Sequence, residues 1–115
     1  MAIVEFDARS ERAADGTWLV SVAGDLDLHT APELERALLS ATGDGAGTVV
    51  VDLSGCTFLD STGLHILVGV RRRLDGGAVK IVGAAPAVRR PFEVTGLDRL
   101  FRFYPTRTAA LDGGR

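Results

Sequence analysis

Thr48-Val-Val-Val-Asp-Leu-Ser-Gly-Cys-Thr-Phe-Leu-Asp-Ser-Thr-Gly-Leu64 opens on a nearly unbroken β-branched and aliphatic run and closes on a cluster of small polar residues. Thr48, Val49, Val50, Val51, Asp52 and Leu53 make a nearly continuous β-branched run of the kind that suits a strand covered on both faces, which implies a central parallel strand. A helix is predicted to begin around Asp60-Ser61-Thr62-Gly63, with Leu64, Leu67, Val68 and Leu74 on one face and Ile66 and Val70 beside them. Ser61 and Thr62 read as N-capping hydroxyls, and Arg71, Arg72 and Arg73 fall in the last turn, where the helix dipole favours them.

On the N-terminal side, Ile3 and Phe6 suggest a short first strand. ARSERAADG reads as a polar turn ending at Asp15-Gly16, and Trp18, Leu19, Val20, Val22 and Ala23 as a second strand, so that a hairpin is expected. Thr30 precedes Ala31-Pro32-Glu33 in the pattern of a capping box with an early proline. Leu34, Ala37, Leu38 and Ala41 then recur at helical spacing, and the helix should end near Thr42-Gly43. GDGAG follows as a mobile connection. Beyond the second helix, Asp75-Gly76-Gly77 is a stop signal, Val79-Lys80-Ile81-Val82 a strand, and Pro86 the opening of a third helical segment. A last short strand is expected over residues 101–104 and a short helix over 106–111. Strands alternating with helices specify an α/β layer fold.

The chain has 115 residues, 46% apolar and 24% charged, which supports one compact domain over residues 1–115. Cys56 is its single cysteine, which removes an intramolecular disulfide framework and any cysteine metal cluster. The sequence holds no apolar run of membrane-spanning length and no secretory leader pattern, so a soluble cytoplasmic protein is expected. The net charge of −2 conceals an asymmetry: residues 1–60 carry three Lys or Arg against eleven Asp or Glu, and residues 61–115 carry ten against four. Arg71, Arg72, Arg73, Arg89 and Arg90 lack interleaved aromatics, which argues for a solvated helical face and against nucleic-acid binding.

Several groups are candidates for chemistry. Asp25-Leu26-Asp27 after an apolar strand superficially matches the D-x-D nucleophile of Mg-dependent phosphotransferases. His29 stands where those enzymes carry Thr or Val, however, and a polar loop available for partner recognition is the simpler reading. Ser61 with His65 four residues on could form a hydrolytic pair, but no G-x-S-x-G elbow or orienting third residue accompanies them. His65 and His29 therefore read as ordinary helix and loop residues, and no metal or cofactor is expected. Gly43, Gly45 and Gly47 lie between helix and strand, the wrong order for a phosphate-cradling loop. Ser61 has a more specific reading: a phosphoryl group there would place a charge of about −1.5 to −2 at the positive end of a helix dipole.

Three blocks in this order, Gly24-Asp-Leu-Asp-Leu-His-Thr-Ala31, Val51-Asp-Leu-Ser with Phe58-Leu-Asp-Ser-Thr-Gly-Leu64, and Pro86-Ala-Val-Arg-Arg with Thr95-Gly-Leu97, resemble the STAS-domain family of bacterial anti-sigma-factor antagonists. The resemblance spans nearly the whole chain. It implies a mixed central sheet with an N-terminal hairpin and amphipathic helices mainly on one side. It also implies a non-enzymatic partner-switching regulator, of the kind found in stress responses and sporulation. In that family the unphosphorylated antagonist binds an anti-sigma factor that is also a serine kinase, phosphorylation ends the binding, and a PP2C-type phosphatase restores it. By position, Ser61 would be the phosphoacceptor, Asp25, Asp27 and Asp60 its recognition neighbours, and Thr62 and Gly63 the helix-start scaffold. The rival expectations are a STAS scaffold module of a stressosome-like or transporter-associated complex, and a small Asp- or Ser-dependent phosphotransferase or hydrolase. Pro91 departs from the family pattern, and a kink, a break near Arg90 or a start displaced from Pro86 is expected in the third helix.

Overall fold

The computed structural model describes residues 5–14, 16–43, 47–74 and 77–112. Among these residues the chain forms β1 (Asp7–Ala14), β2 (Thr17–Leu26), α1 (Ala31–Gly43), β3 (Thr48–Leu59), α2 (Ser61–Arg73), β4 (Ala78–Val82), α3 (Pro86–Val94), a 3-10 turn (Leu97–Leu100), β5 (Arg102–Tyr104) and α4 (Arg107–Asp112). The strands make one sheet in the order β1-β2-β3-β4-β5. β1 and β2 pair antiparallel, and the remaining pairs are parallel. The α/β class, the mixed sheet, the hairpin and the central position of β3 follow the expectations from sequence.

Consecutive valines of β3 serve opposite faces of the sheet. Val49 and Val51 join Val20, Val22, Val79 and Ile81 beneath the buried stripes of α1, α2 and α3, including Leu34, Leu38, Leu64, Leu67 and Phe92. Burying a leucine or phenylalanine of this kind contributes about 1.5–3 kcal/mol. Val50 faces the other way, packing with Leu19, Val82, Ala110 and Tyr104 under α4. Helices therefore cover mainly one side. On the second side α4 is held through charge: Arg107 Nε donates to the buried Asp52 carboxylate, and Lys80 Nζ donates to the Ala110 carbonyl at 2.7 Å.

Several local expectations need correction. The segment read as a polar turn is itself β1, Phe6 lies just before it, and Ile3 falls outside the described residues. Polar residues suit this strand because it is a sheet edge, paired on one side only and charged along its exposed positions. β2 runs on to Leu26 and β3 to Leu59, pairing with each other through register shifts between Ser21 and Ala23 and between Gly24 and Asp25. Asp15 of the expected turn, Asp44, Gly45 and Ala46 of the proposed mobile connection, and Asp75 and Gly76 of the helix stop lie outside the described residues.

Pro91 neither breaks α3 nor displaces its start, since the helix runs from Pro86 at its first position through Pro91 to Val94. Ala87, whose carbonyl lies one turn before Pro91, is exposed, so water can take the place of the missing N–H donor. The arginines also divide. Arg71, Arg72, Arg73 and Arg90 are exposed as expected, whereas Arg89 is half-buried with its guanidinium 4.2 Å from the Phe103 ring centre. Among the described residues no helix is long and apolar enough to cross a membrane.

Candidate functional site

The carboxyl ends of β2 and β3 meet the first turn of α2, and Leu26 joins them. Its carbonyl accepts the Asp60 N–H at 3.1 Å, and its side chain, wholly buried, lies under Gly63. A Cβ at Gly63 would sit 2.6 Å from Leu26 Cγ, so glycine is required there by close packing. This contact sets the acidic strand end against the helix start.

Asp60 is the N-cap of α2. Its Oδ1 accepts the N–H of Thr62 at 2.9 Å and of Gly63 at 3.3 Å, with the backbone extended at φ −104° and ψ −175°. The capping expected of Ser61 and Thr62 is thus performed by the residue before them. Carboxylate suits the position because it satisfies two orphan donors and carries negative charge at the positive end of the dipole. Ser61 follows as the first helical residue. It is exposed, and its hydroxyl has no protein hydrogen bond among the described residues.

Asp25 lies opposite Phe58 in the β2–β3 ladder, and its Oδ1 accepts the Thr57 hydroxyl at 2.6 Å. Asp27 turns into its own loop, where Oδ1 accepts the N–H of His29 at 2.9 Å and of Thr30 at 3.1 Å. Desolvation alone would raise the Asp27 pKa, but the N–H groups of Thr30 and His29, the Thr30 hydroxyl and the charge of His29 outweigh it and hold it below the usual value. The Thr30 hydroxyl faces back into this loop, donating to the Asp25 carbonyl at 2.7 Å and accepting the Asp27 N–H at 2.9 Å. The capping box expected with Glu33 is replaced by this arrangement. Glu33 N–H instead donates to the Thr30 carbonyl at 3.0 Å.

The structure therefore brings the strand end carrying Asp25 and Asp27 together with Asp60, Thr62 and Gly63 through Leu26, while no direct hydrogen bond joins those carboxylates to the Ser61 hydroxyl. His65 is exposed, and no hydrogen bond links it to Ser61. Burial pushes the Cys56 thiol up; hydrogen bonds to Phe58 and Leu26 offset part of this, and the nearby Asp25 charge adds to the rise. Among the described residues no group of three His, Cys, Asp or Glu side chains is placed to hold a metal ion.

Four contributors escape the sequence reading. Thr57 is an ordinary threonine until β3 proves long enough to set it beside Asp25. Leu26 looks like a spacer between two aspartates, and only its burial reveals its role. Phe58 and Leu28 are 51% and 67% exposed, apolar surface bordering the acidic positions. In sequence Leu28 directly follows Asp27 and Phe58 stands two residues before Asp60, and neither can be told from a core position without the strand register.

Comparison with known proteins gives a consistent picture. The STAS domain family model matches residues 10–110. The anti-sigma-F factor antagonist RsfB of Mycobacterium tuberculosis is 38% identical over 103 residues, covering 88% of this chain and 84% of that protein. An anti-sigma-B factor antagonist of Staphylococcus aureus is 38% identical over 88 residues, covering 75% of this chain and 82% of that one. The crystal structure of an anti-sigma factor antagonist from Mycobacterium paratuberculosis superposes with a TM-score of 0.82 at 38% identity, over 96% of this chain and 92% of that one.

Proposed function

Because the chain belongs to the STAS-domain family of anti-sigma factor antagonists, we propose that it acts by partner switching, with Ser61 as the switch. In this reading the unphosphorylated protein binds an anti-sigma factor that is also a serine kinase, and so frees a sigma factor in the cytoplasm. Phosphorylation of Ser61 by that kinase ends the binding, and a PP2C-type phosphatase reverses it. The chain itself is a binding protein and a kinase substrate, not a catalyst.

The observation that carries this reading is the division of labour between Asp60 and Ser61. Asp60 caps the helix, the Ser61 residue is exposed, and modification of its hydroxyl breaks no hydrogen bond among the described residues. A phosphate at the first helical position is compatible with the helix dipole. A partner fitted to the neutral hydroxyl among Asp25, Asp27 and Asp60 must instead desolvate a new dianion beside existing carboxylates. A penalty of about 3–4 kcal/mol would weaken binding several hundred-fold.

Calorimetric titration of a purified candidate anti-sigma factor with the unmodified protein, Ser61→Ala and Ser61→Glu tests this directly. The alanine variant is expected to bind as the unmodified protein does, and the glutamate variant at least about tenfold more weakly. Equal affinity of the glutamate variant would overturn the reading.

A further inference from the structure

Among the described residues the outer side of β1 faces no other strand, so its backbone N–H and C=O groups on that side are open to pairing. The opposite edge, β5, is only three residues long. Charges on an edge strand usually discourage pairing by setting like against like. The charges of β1, however, are self-complementary in one alignment.

β1 pairs with β2 without irregularity from Asp7 to Arg12. Along this stretch Asp7, Arg9 and Glu11 are exposed on one face and alternate in sign, and Arg9 Nε lies 2.8 Å from the Asp7 carboxylate. Ala8 and Ser10 belong to the other face, where with Glu33, Arg36, Ala37 and Ser40 of α1 they line a recess of about 240 Å³.

A second copy laid antiparallel along this edge with Ser10 opposite Ser10 sets each Arg9 against a Glu11, twice over through the two-fold axis, and each Arg12 against the small Ala8. Directly opposed unlike charges stabilise a strand pair and like charges destabilise it. Sliding the copies by two residues sets Arg9 against Arg9 and Asp7 against Glu11 in one direction, and Glu11 against Glu11 in the other. A one-residue slip turns the second copy over, so that the two recesses beside α1 no longer meet on one side of the sheet. In the Ser10-centred alignment they adjoin across the axis, which leaves room for the edges to approach.

We propose that β1 is a self-association edge, on which two copies pair antiparallel about Ser10 and join their five-stranded sheets into one. Asp7 lies opposite Ala23, near the carboxyl end of β2, and the Asp7 ends of the two copies point in opposite directions. The two Ser61 regions are therefore carried at opposite ends of the joint sheet, outside the contact. Such a dimer presents two switch sites, and its existence is independent of the reading given to Ser61.

Sedimentation velocity of the unmodified protein at concentrations up to about 1 mM tests for the dimer. A concentration-dependent dimer is expected, and Arg9→Glu and Glu11→Arg should each weaken it at least tenfold. An equimolar mixture of those two variants should associate as the unmodified protein does, because unlike charges then face each other in both pairs. Ser10→Cys reads the register: opposed Cα atoms lie about 4.5–5.5 Å apart, within disulfide reach, so this variant should cross-link to a dimer on mild oxidation. Ala8→Cys would hold its two Cα atoms roughly 14 Å apart and should not cross-link. The native Cys56 is buried, and the unmodified protein serves as the control for it. An unmodified protein that stays monomeric throughout this range would overturn the proposal, as would a dimer that either charge substitution leaves unweakened. So would a mixture that fails to associate although circular dichroism shows both variants folded, or cross-linking of Ala8→Cys in preference to Ser10→Cys. The sedimentation of the unmodified protein and the Ser10→Cys cross-link decide the matter even if a charge variant unfolds.

Discussion

The Asp60 carboxylate accepts the Thr62 amide hydrogen at 2.9 Å, and the intervening Ser61 is left at the first helical position with its hydroxyl in solvent. Helix stability and the chemistry of the serine are thereby assigned to different residues. Asp60→Ala should destabilise the fold by about 1 kcal/mol, and Asp60→Asn by less, because asparagine also caps well. Ser61→Ala should stay within about 0.5 kcal/mol of the unmodified protein. Urea unfolding of the three variants checks this, and a Ser61→Ala loss as large as that of Asp60→Ala would show that the serine contributes to the cap.

Gly63→Ala tests the contact that positions the acidic strand end. Alanine is the better helix former by about 1 kcal/mol. Its Cβ would nevertheless meet Leu26 Cγ at 2.6 Å, and Leu26 is fully buried and has nowhere to retreat. Overpacking of about 1–3 kcal/mol should prevail, giving a net loss in denaturant unfolding. Adding Leu26→Ala should produce a non-additive double variant, since the second change removes the atoms that clash.

Asp52 sets an acid limit on stability. Burial alone would raise its pKa, but the Ser54 hydroxyl and N–H and then Arg107 outweigh burial and hold the carboxyl below its ordinary value. A carboxyl depressed in the folded state stabilises at pH values above its unfolded pKa, about 3.9. That contribution is lost as the pH falls below this value and through the folded pKa. Asp52→Asn should therefore cost about 1–3 kcal/mol at pH 7 and flatten the fall in stability below pH 4. An unchanged acid slope in the variant, measured by thermal unfolding across pH 2–7, would remove Asp52 from the account.

Pro91 offers a stabilising substitution. An alanine there could donate its N–H to the Ala87 carbonyl and would remove the ring that crowds the preceding turn, whereas proline interrupts this ladder inside α3. Part of the gain is offset because proline also restricts the unfolded chain. Pro91→Ala is expected to raise the unfolding midpoint by an amount equivalent to about 1 kcal/mol or more. A lowered midpoint would mean that the ring is packed where its volume matters more than the missing bond.

The parts of the fold that sequence foretold are those where pattern and burial coincide. The valine run of β3 must cover both faces of the sheet, and the stripe Leu34, Ala37, Leu38 and Ala41 of α1 must cover one of them. β1 was hidden because an edge strand needs backbone pairing on one side and little apolar surface, so DARSERAA looks like a turn. At the candidate site the residue types were readable, but their tasks were not. Aspartate, serine and threonine are all good caps, and which of them caps α2 depends on where β3 ends. β3 ends at Leu59 because its register shifts against β2 carry the pairing that far. Thr30 likewise fits a capping box in sequence, yet the bend of the Asp25–Asp27 segment turns its hydroxyl toward the Asp25 carbonyl.

The most direct test of the switch combines intact-mass and complex-formation measurements. The protein is mixed with its candidate anti-sigma factor and either ADP or ATP, and both phosphate content and complex are followed in time by mass spectrometry and size-exclusion chromatography. The account predicts a stable complex with ADP. With ATP it predicts the gain of one phosphate, mapped to Ser61, with loss of the complex in step with it and neither event in Ser61→Ala. Phosphate mapped to Ser61 while the complex persists, or phosphorylation that proceeds unchanged in Ser61→Ala with Thr62 intact, would contradict it.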